Sequence, residues 1–333
     1  MMKRVWLCML LLAALLAAAV LACAQDGEET EEAPYTGIIG KNMDVYAYAS
    51  DEATVLGRVE TGTIVDVYEK MRTYTKIDYE GRIGYVLTKS TERVQRKDPF
   101  EGPMPGTSSY IAVGRATRDM TFKPEEYRYA INVREGAYVA VKELEGGRAY
   151  FEYMRLDEDM SVPADGLELT YFVPWDEAQP GDLLYAFSTY YSVSRSEDNL
   201  GRMHNIDLAA ERLCGTVVQP DEVFSFNAVC GPYDKDNGYE LAPILSGESD
   251  TGYGGGTCQV CTTLYNVVLR VPTFIEEMHW HSQGGVKYVP SGFDATVGSQ
   301  WDMQFRNILP YAVRLEFDAN EGVMTAFMYR SEE

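Results

Sequence analysis

Gly254-Gly255-Gly256-Thr257-Cys258-Gln259-Val260-Cys261-Thr262-Thr263-Leu264-Tyr265-Asn266-Val267-Val268-Leu269 is the stretch on which the reading of this chain turns. Consecutive glycines open backbone paths closed to residues that carry a Cβ. An apolar run of helix length follows, and Pro272 ends it. Thr257 is the expected N-cap, which places Cys258 in the first turn. Free amides and the positive dipole end favour a thiolate there. On such a helix Cys261, Thr262, Tyr265, Val268 and Leu269 share the face of Cys258. That face is apolar, so Cys258 is expected at a core edge. A glycine turn, a cysteine at a helix start and a histidine elsewhere are what a cysteine nucleophile needs. A buried structural cysteine beside a glycine turn fits the same local pattern.

The bases available are few: His204, His279 and His281 are the histidines of the chain. His279 and His281 point the same way if they lie in a strand, and not if they lie in a loop. A cysteine on a helix with a histidine on a later strand is the papain-like order, so His281 is the expected base. A third group should orient it. Asp294 and Asp302 are candidates downstream, and Asn307 is a weaker one. His279 also reads as a surface residue beside Trp280. Two rivals use the same atoms. Cys258 and Cys261 form a C-x-x-C pair that suits a redox dithiol, although the glycine run fits a thioredoxin unit poorly. Cys258, Cys261, His279 and His281 could also supply four zinc ligands. The preferred reading calls for neither metal nor cofactor. Cys214 and Cys230 stand outside the motif, as a structural disulfide or as two buried free thiols. Arg202 and Asn205 are placed just before a helix. They serve as surface and cap, or bind a substrate carboxylate or carbonyl through the bidentate fork of the arginine.

The chain has 333 residues and a formal charge of −22. Its length suits two or three domains. The charge argues against nucleic acid as a partner and against docking on an anionic membrane surface. Lys3 and Arg4 precede the apolar run Val5 to Leu21, so residues 1–23 read as a targeting segment and the remainder as exported. Val20-Leu21-Ala22-Cys23 looks like a lipobox, which would leave a lipid on Cys23. Ala22-Cys23-Ala24 also fits ordinary signal peptidase, and an uncleaved anchor is a third option. The expected location is therefore extracytoplasmic, with membrane contact only through an anchor. Cys214, Cys230, Cys258 and Cys261 are too few for a disulfide scaffold over this length.

Residues 24–34 are acidic and aperiodic, a tether. Residues 35–95 alternate apolar and polar in short runs split by turns, among them Glu80-Gly81. Residues 96–109 hold Pro, Gly and Ser and read as a linker. Residues 110–175 echo the first strand pattern more weakly, which suggests a duplicated small β-barrel. Pro180-Gly181 marks the next boundary. Residues 183–330 mix helical spacing at Ile206, Ala209, Ala210 and Leu213 with strands at 184–190, 223–226, 286–289, 295–297, 302–305 and 312–317. The expected class is α+β, multidomain.

Leu56-Gly57, Gly62, Tyr74-Thr75-Lys76-Ile77, Gly81 and Gly84-Tyr85-Val86 resemble the bacterial Src-homology-three-like domain. That resemblance implies binding of cell-wall peptides or a spacer role. The last domain resembles the VanW family. The residues that carry the resemblance include Phe187-Ser188-Thr189, Arg202, Asn205-Ile206, Gly215-Thr216-Val217, Phe224-Ser225-Phe226-Asn227, the Gly254–Val260 segment, Thr262–Asn266, His281-Ser282, Tyr288-Val289-Pro290, Asp294-Ala295-Thr296-Val297 and Asp302. Cys261 stands where Ser is usual, Met278 and His279 where arginines are common, and Cys230 interrupts a usual Val-Gly. The resemblance implies a cell-envelope protein with peptidoglycan as partner. Some members act as L,D-transpeptidases with the motif cysteine as nucleophile. On that analogy Cys258 attacks a stem peptide, His281 is the base and Asp294 a candidate to orient it. Gly256, Thr257, Gln259, Arg202, Asn205 and Tyr265 then contact the substrate or the oxyanion. The other expectations are a cysteine peptidase or carboxypeptidase, and a non-catalytic wall-binding or glycopeptide-resistance accessory protein.

Overall fold

Alternation of period two builds the first region directly. The computed structural model describes residues 32–100, 109–122, 131–153, 160–244, 251–281, 286–290 and 292–332. The targeting segment, Cys23 and most of the tether lie outside the described residues. Strands β1 (Tyr35–Ile39), β2 (Met43–Tyr46), β3 (Val55–Val59), β4 (Ile64–Lys70), β5 (Tyr74–Tyr79), β6 (Arg82–Leu87) and β7 (Thr91–Arg96) pair antiparallel in the order β3-β2-β6-β5-β4-β1-β7. Val45, Val67, Ile77, Val86 and Val94 are fully buried on the inner face. Glu80 and Gly81 both take positive φ, 55° and 77°, which a two-residue hairpin loop of the primed type requires. The sheet runs from β3 at one edge to β7 at the other and does not close into the expected barrel.

The second region is laid out differently. Strands β8 (Ala112–Ala116), β9 (Met120–Phe122), β10 (Ile131–Val133), β11 (Tyr138–Val141), β12 (Glu143–Glu145), β13 (Arg148–Phe151), β14 (Met160–Pro163) and β15 (Leu167–Tyr171) form three small sheets, β11-β8-β15, β12-β13-β14 and β10-β9. Its strands are mostly shorter than those of the first region, and the pairing does not repeat that region.

The last region is α+β. Strand β16 (Leu183–Tyr190) is buried along its whole length, in the sheet β16-β24-β23-β17. Here β17 is Val217–Val218, β23 is Val313–Asn320 and β24 is Val323–Arg330. Helix α1 (Glu197–Leu213) packs on β23, and helix α3 (Thr257–Val268) packs on β16 and β24. Strands β18 (Val223–Ser225), β21 (Thr273–Glu277) and β22 (Gln304–Asn307) form a second sheet. Strands β19 (Leu241–Pro243) and β20 (Thr251–Tyr253) form a hairpin, and α2 (Phe226–Cys230) is one turn and a half.

Several expectations change here. Helix α1 starts at Glu197, earlier than the apolar spacing reveals, because its first turns are mostly polar. Arg202 and Asn205 therefore lie inside it and not before it. Residues 286–289 and 295–297 are irregular, while Thr273–Glu277 and Val323–Arg330 are strands the pattern did not announce. Cys214 and Cys230 are unpaired thiols, the first exposed and the second buried, so neither alternative for that pair holds. One apolar core continues from Ile39, Val67 and Val94 of the first sheet to Leu264, Phe293 and Phe305 of the last region. Pro34–Glu333 is accordingly one compact unit.

Candidate active site

Three glycines admit the chain between two elements that leave no room for a Cβ. At Gly255 a Cβ would lie 2.6 Å from the Pro243 carbonyl oxygen, and at Gly256 it would lie 2.9 Å from that of Arg202. Gly256 takes φ 112° and caps α3, so it, and not Thr257, is the N-cap. The Thr257 hydroxyl donates to the Gly254 carbonyl at 2.8 Å and its amide to the same oxygen at 3.0 Å. Asn205 clamps this turn from α1. Its Nδ2 donates to the carbonyls of Glu240 and Gly255, and its Oδ1 accepts from the Glu240 amide. Asn205 is fully buried and has no polar atom left for a substrate carbonyl.

Helix α3 places Cys258, Thr262 and Asn266 on one line, four residues apart. The segment 293–297 runs against that line. Asn266 Nδ2 donates to the Phe293 carbonyl at 2.8 Å. Thr262 Oγ1 and Ala295 exchange two hydrogen bonds of 3.0 Å. Cys258 Sγ lies 3.4 Å from Thr296 Oγ1 and 3.5 Å from the Val297 amide that donates to it. Asp294-Ala295-Thr296-Val297 carries the family resemblance, and the sequence pattern suggests a strand over residues 295–297. Its role is to bind the helix that carries the cysteine.

The same segment orients the base. Asp294 Oδ2 accepts from the His281 amide at 2.8 Å and lies 2.8 Å from His281 Nδ1. Both side chains are almost wholly buried, 7% and 3% exposed. His281 and Cys258 are close enough for each to shift the titration of the other. Burial pushes the Cys258 thiol up, but the hydrogen bond and charge of His281 outweigh it, aided by Thr296 and the Val297 amide, and the net direction is down. Burial likewise opposes charge on His281, yet Asp294 and Cys258 carry it up to about 9. For Asp294 the upward push of burial loses to hydrogen bonds from the His281 ring and amide, and its carboxyl sits below the usual range. The three shifts run in one direction, toward a thiolate, an imidazolium and a carboxylate.

Of the orienting candidates only Asp294 faces His281. Asp302 accepts from Ser225 Oγ, the Asn227 amide and Gln304 Nε2, and so holds the start of α2. Asn307 donates to the Val218 and Tyr311 carbonyls. The two later histidines diverge because β21 ends at Glu277: His279 Nε2 turns to Glu277 Oε1 at 3.0 Å. Among the described residues no group of three or more His, Cys, Asp and Glu is arranged to hold a metal. Cys261 is fully buried, and burial first, then the nearby Cys258 charge, pushes its thiol well up. A buried, unreactive second thiol does not suit a redox pair.

The remaining candidates separate by exposure. Gln259 is buried and bridges elements: its Nε2 donates to Thr189 Oγ1 and the Tyr190 carbonyl, and its Oε1 accepts from Arg202. Arg202 is partly exposed and its charge is felt by Cys258, so it flanks the thiolate. Tyr265 is fully buried in the core behind Cys258, out of reach of a substrate. The Thr257 amide is already bonded. The amides of Gly256 and Cys258 have no acceptor among the described residues and stay available to an oxyanion. Tyr288, half-buried and influenced by Cys258, joins the site; the sequence offers it as part of the family resemblance and not as a site residue.

Comparison with known proteins follows the same boundaries. Residues 201–329 match the family described as VanW like protein. The chain is 39% identical over 150 residues to the uncharacterized protein YoaR of Bacillus subtilis, an alignment covering 44% of this chain and 47% of that one. It is 32% identical over 133 residues to the vancomycin B-type resistance protein VanW of Enterococcus faecalis, covering 37% and 46%. The chain thus spans about half the length of the curated relatives it matches. A VanW-like domain occupies residues 201–329.

Proposed function

We propose that this protein is an exported cysteine acyltransferase of the cell wall, an L,D-transpeptidase acting on peptidoglycan stem peptides. The observation that carries the reading is the buried run from Cys258 through His281 to Asp294, with Asp294 Oδ2 fixing the imidazole. The name of one relative, a vancomycin B-type resistance protein, supports a place in the envelope. The likeness of residues 35–95 to Src-homology-three-like domains supports wall binding, and the lipobox at Cys23 supports anchoring on the outer membrane face.

The chemistry follows the geometry. The Cys258 thiolate attacks the carbonyl after the third stem residue of a donor peptide, forming a C–S bond. The carbonyl oxygen becomes an oxyanion between the free amides of Gly256 and Cys258. Arg202, beside the thiolate, suits the terminal carboxylate of the donor. His281 gives its proton to the departing amine of the terminal D-residue, and the C–N bond breaks. An acceptor amine then attacks the thioester, His281 takes its proton, and Cys258 leaves as thiolate while a new amide forms.

The test is product analysis. The purified protein is mixed with disaccharide-tetrapeptide fragments beside a Cys258→Ala control and examined by mass spectrometry. Cross-linked dimers from the unmutated protein alone are the expected result. Shortened monomers without dimers mean that water is the acceptor and the protein is a carboxypeptidase. No product from a folded, reduced protein overturns the catalytic reading and leaves a wall-binding protein.

A further inference from the structure

The first sheet reaches the candidate site from behind. Lys70, the last residue of β4, is fully buried, and its Nζ has no hydrogen-bond partner among the described residues. That nitrogen lies 4.5 Å from the Phe293 ring centroid and 5.9 Å from the Tyr265 ring. Phe293 directly precedes Asp294, and Tyr265 Oη is likewise unpartnered. Asp294 is the charged group that acts on the ammonium. Burial drives Lys70 down to about 8, and Asp294 opposes it. A buried ammonium with nothing to bond is costly, and packing alone would be met by an apolar side chain of the same length.

The first region also packs closely on the chain just before His281 and just before Asp294. Gly292 takes φ 84°, and a Cβ there would lie 2.3 Å from Thr88 Cγ2. A Cβ on Gly40 would lie 2.3 Å from the Trp280 ring. Gln95 Nε2 donates to the Ile275 carbonyl at 2.7 Å.

We propose that Lys70 is a positioning residue for the His281–Asp294 pair, a cation lent by the N-terminal sheet to the back of the VanW-like domain. This rests on the reading of Cys258 as a nucleophile. Asp294 by itself strengthens the hold of His281 on its proton, yet His281 must surrender that proton to the leaving amine. A cation behind Asp294 keeps the carboxylate ionised and moderates its pull. The charged and titratable neighbours are few. Asp294 is felt by His281, Lys70, Tyr265, Tyr288 and Cys261, and His281 by Asp294 and Cys258. The first sheet is then part of the site, and a VanW-like domain cut free of it loses its acid–base tuning.

The experiment follows alkylation of Cys258 by iodoacetamide from pH 4 to pH 10 in the full chain, with the exposed Cys214 replaced by Ser. In Lys70→Met the alkaline limb, which reports His281, moves up by about half a unit or more, because the cation that moderates the pull of Asp294 is gone. A folded Lys70→Met protein with slower labelling but an unmoved profile overturns the proposal. Should that variant fail to fold, the ε-carbons of ¹³C-lysine are titrated by NMR in the unmutated protein and in Asp294→Asn. One lysine titrating near 8 and moving lower in the variant is expected, and a lysine signal indifferent to Asp294 overturns the proposal. If Cys258 of the unmutated protein does not alkylate below pH 8, the nucleophile reading fails, while the NMR titration still decides whether Lys70 and Asp294 are coupled.

Discussion

His281 meets Asp294 twice at a single atom: its backbone amide and its ring Nδ1 both lie 2.8 Å from Asp294 Oδ2. The main-chain contact fixes where the residue sits and the ring contact fixes how the imidazole turns. Nε2 is left free to face Cys258. An aspartate held by the backbone of its own partner cannot rotate away without breaking both bonds.

Asp294→Asn therefore removes charge from a place where geometry survives. His281 loses the interaction that carries it to about 9 and falls toward the ordinary imidazole range. The alkaline limb of Cys258 alkylation is expected to move down in pH, and transpeptidation to fall by a factor on the order of 10³ to 10⁴. A variant with an unchanged alkylation profile would remove Asp294 from the acid–base machinery.

Thr262→Val keeps the shape of the side chain and deletes both hydrogen bonds to Ala295. The loss leaves a buried amide and a buried carbonyl unsatisfied, at a cost of about 1–3 kcal/mol. Urea unfolding measures it. Alkylation of Cys258 at pH 7 should slow as well, since Thr296 and Val297 continue the same segment.

Gly256→Ala places a methyl group 2.9 Å from the Arg202 carbonyl and asks an L-residue to hold φ 112°. The expected cost is about 1–3 kcal/mol in stability. The Cys258 and Gly256 amides shift with it, so activity should fall further than stability. Ser at the exposed Cys214 is the control, with stability and activity unchanged.

Asp318 has a buried Oδ2 without a partner among the described residues, and burial, only partly offset by Arg115, raises its carboxyl to about 6. The folded protein then binds a proton that the unfolded chain has already lost between the ordinary carboxylate range and pH 6. Stability falls as pH rises through that window and stays lower above it. Asp318→Asn is expected to raise stability by about 1 kcal/mol at pH 7 and to bring no gain at pH 4. Thermal melts at the two pH values compare them, and equal shifts at both would refute the assignment.

What the sequence disclosed here is what lies close along the chain or repeats with a period. The glycine turn, Cys258 in a first helical turn and the strands of the first sheet all follow from local chemistry. Polar side chains near the motif were harder, because a sequence does not say who will satisfy whose backbone. Asn205 and Gln259 were expected at the substrate and are consumed in tying α1, β16 and the glycine turn together. Tyr265 shares a helical face with Cys258, yet that helix is buried nearly all round, so the face is core. Lys70 ends an ordinary alternating strand, and only the fold brings it onto Phe293, the neighbour of Asp294.

Hydrogen bonds from Asn266 and Thr262 to residues 293 and 295, and from the Val297 amide to Cys258, bind the base's partner onto the helix that bears the thiol. Nucleophile and carboxylate are thus mounted on one frame, and warming cannot dislocate them while that frame stands. Heat inactivation should coincide with global melting instead of preceding it, and a sample cooled from just below the transition should come back fully active.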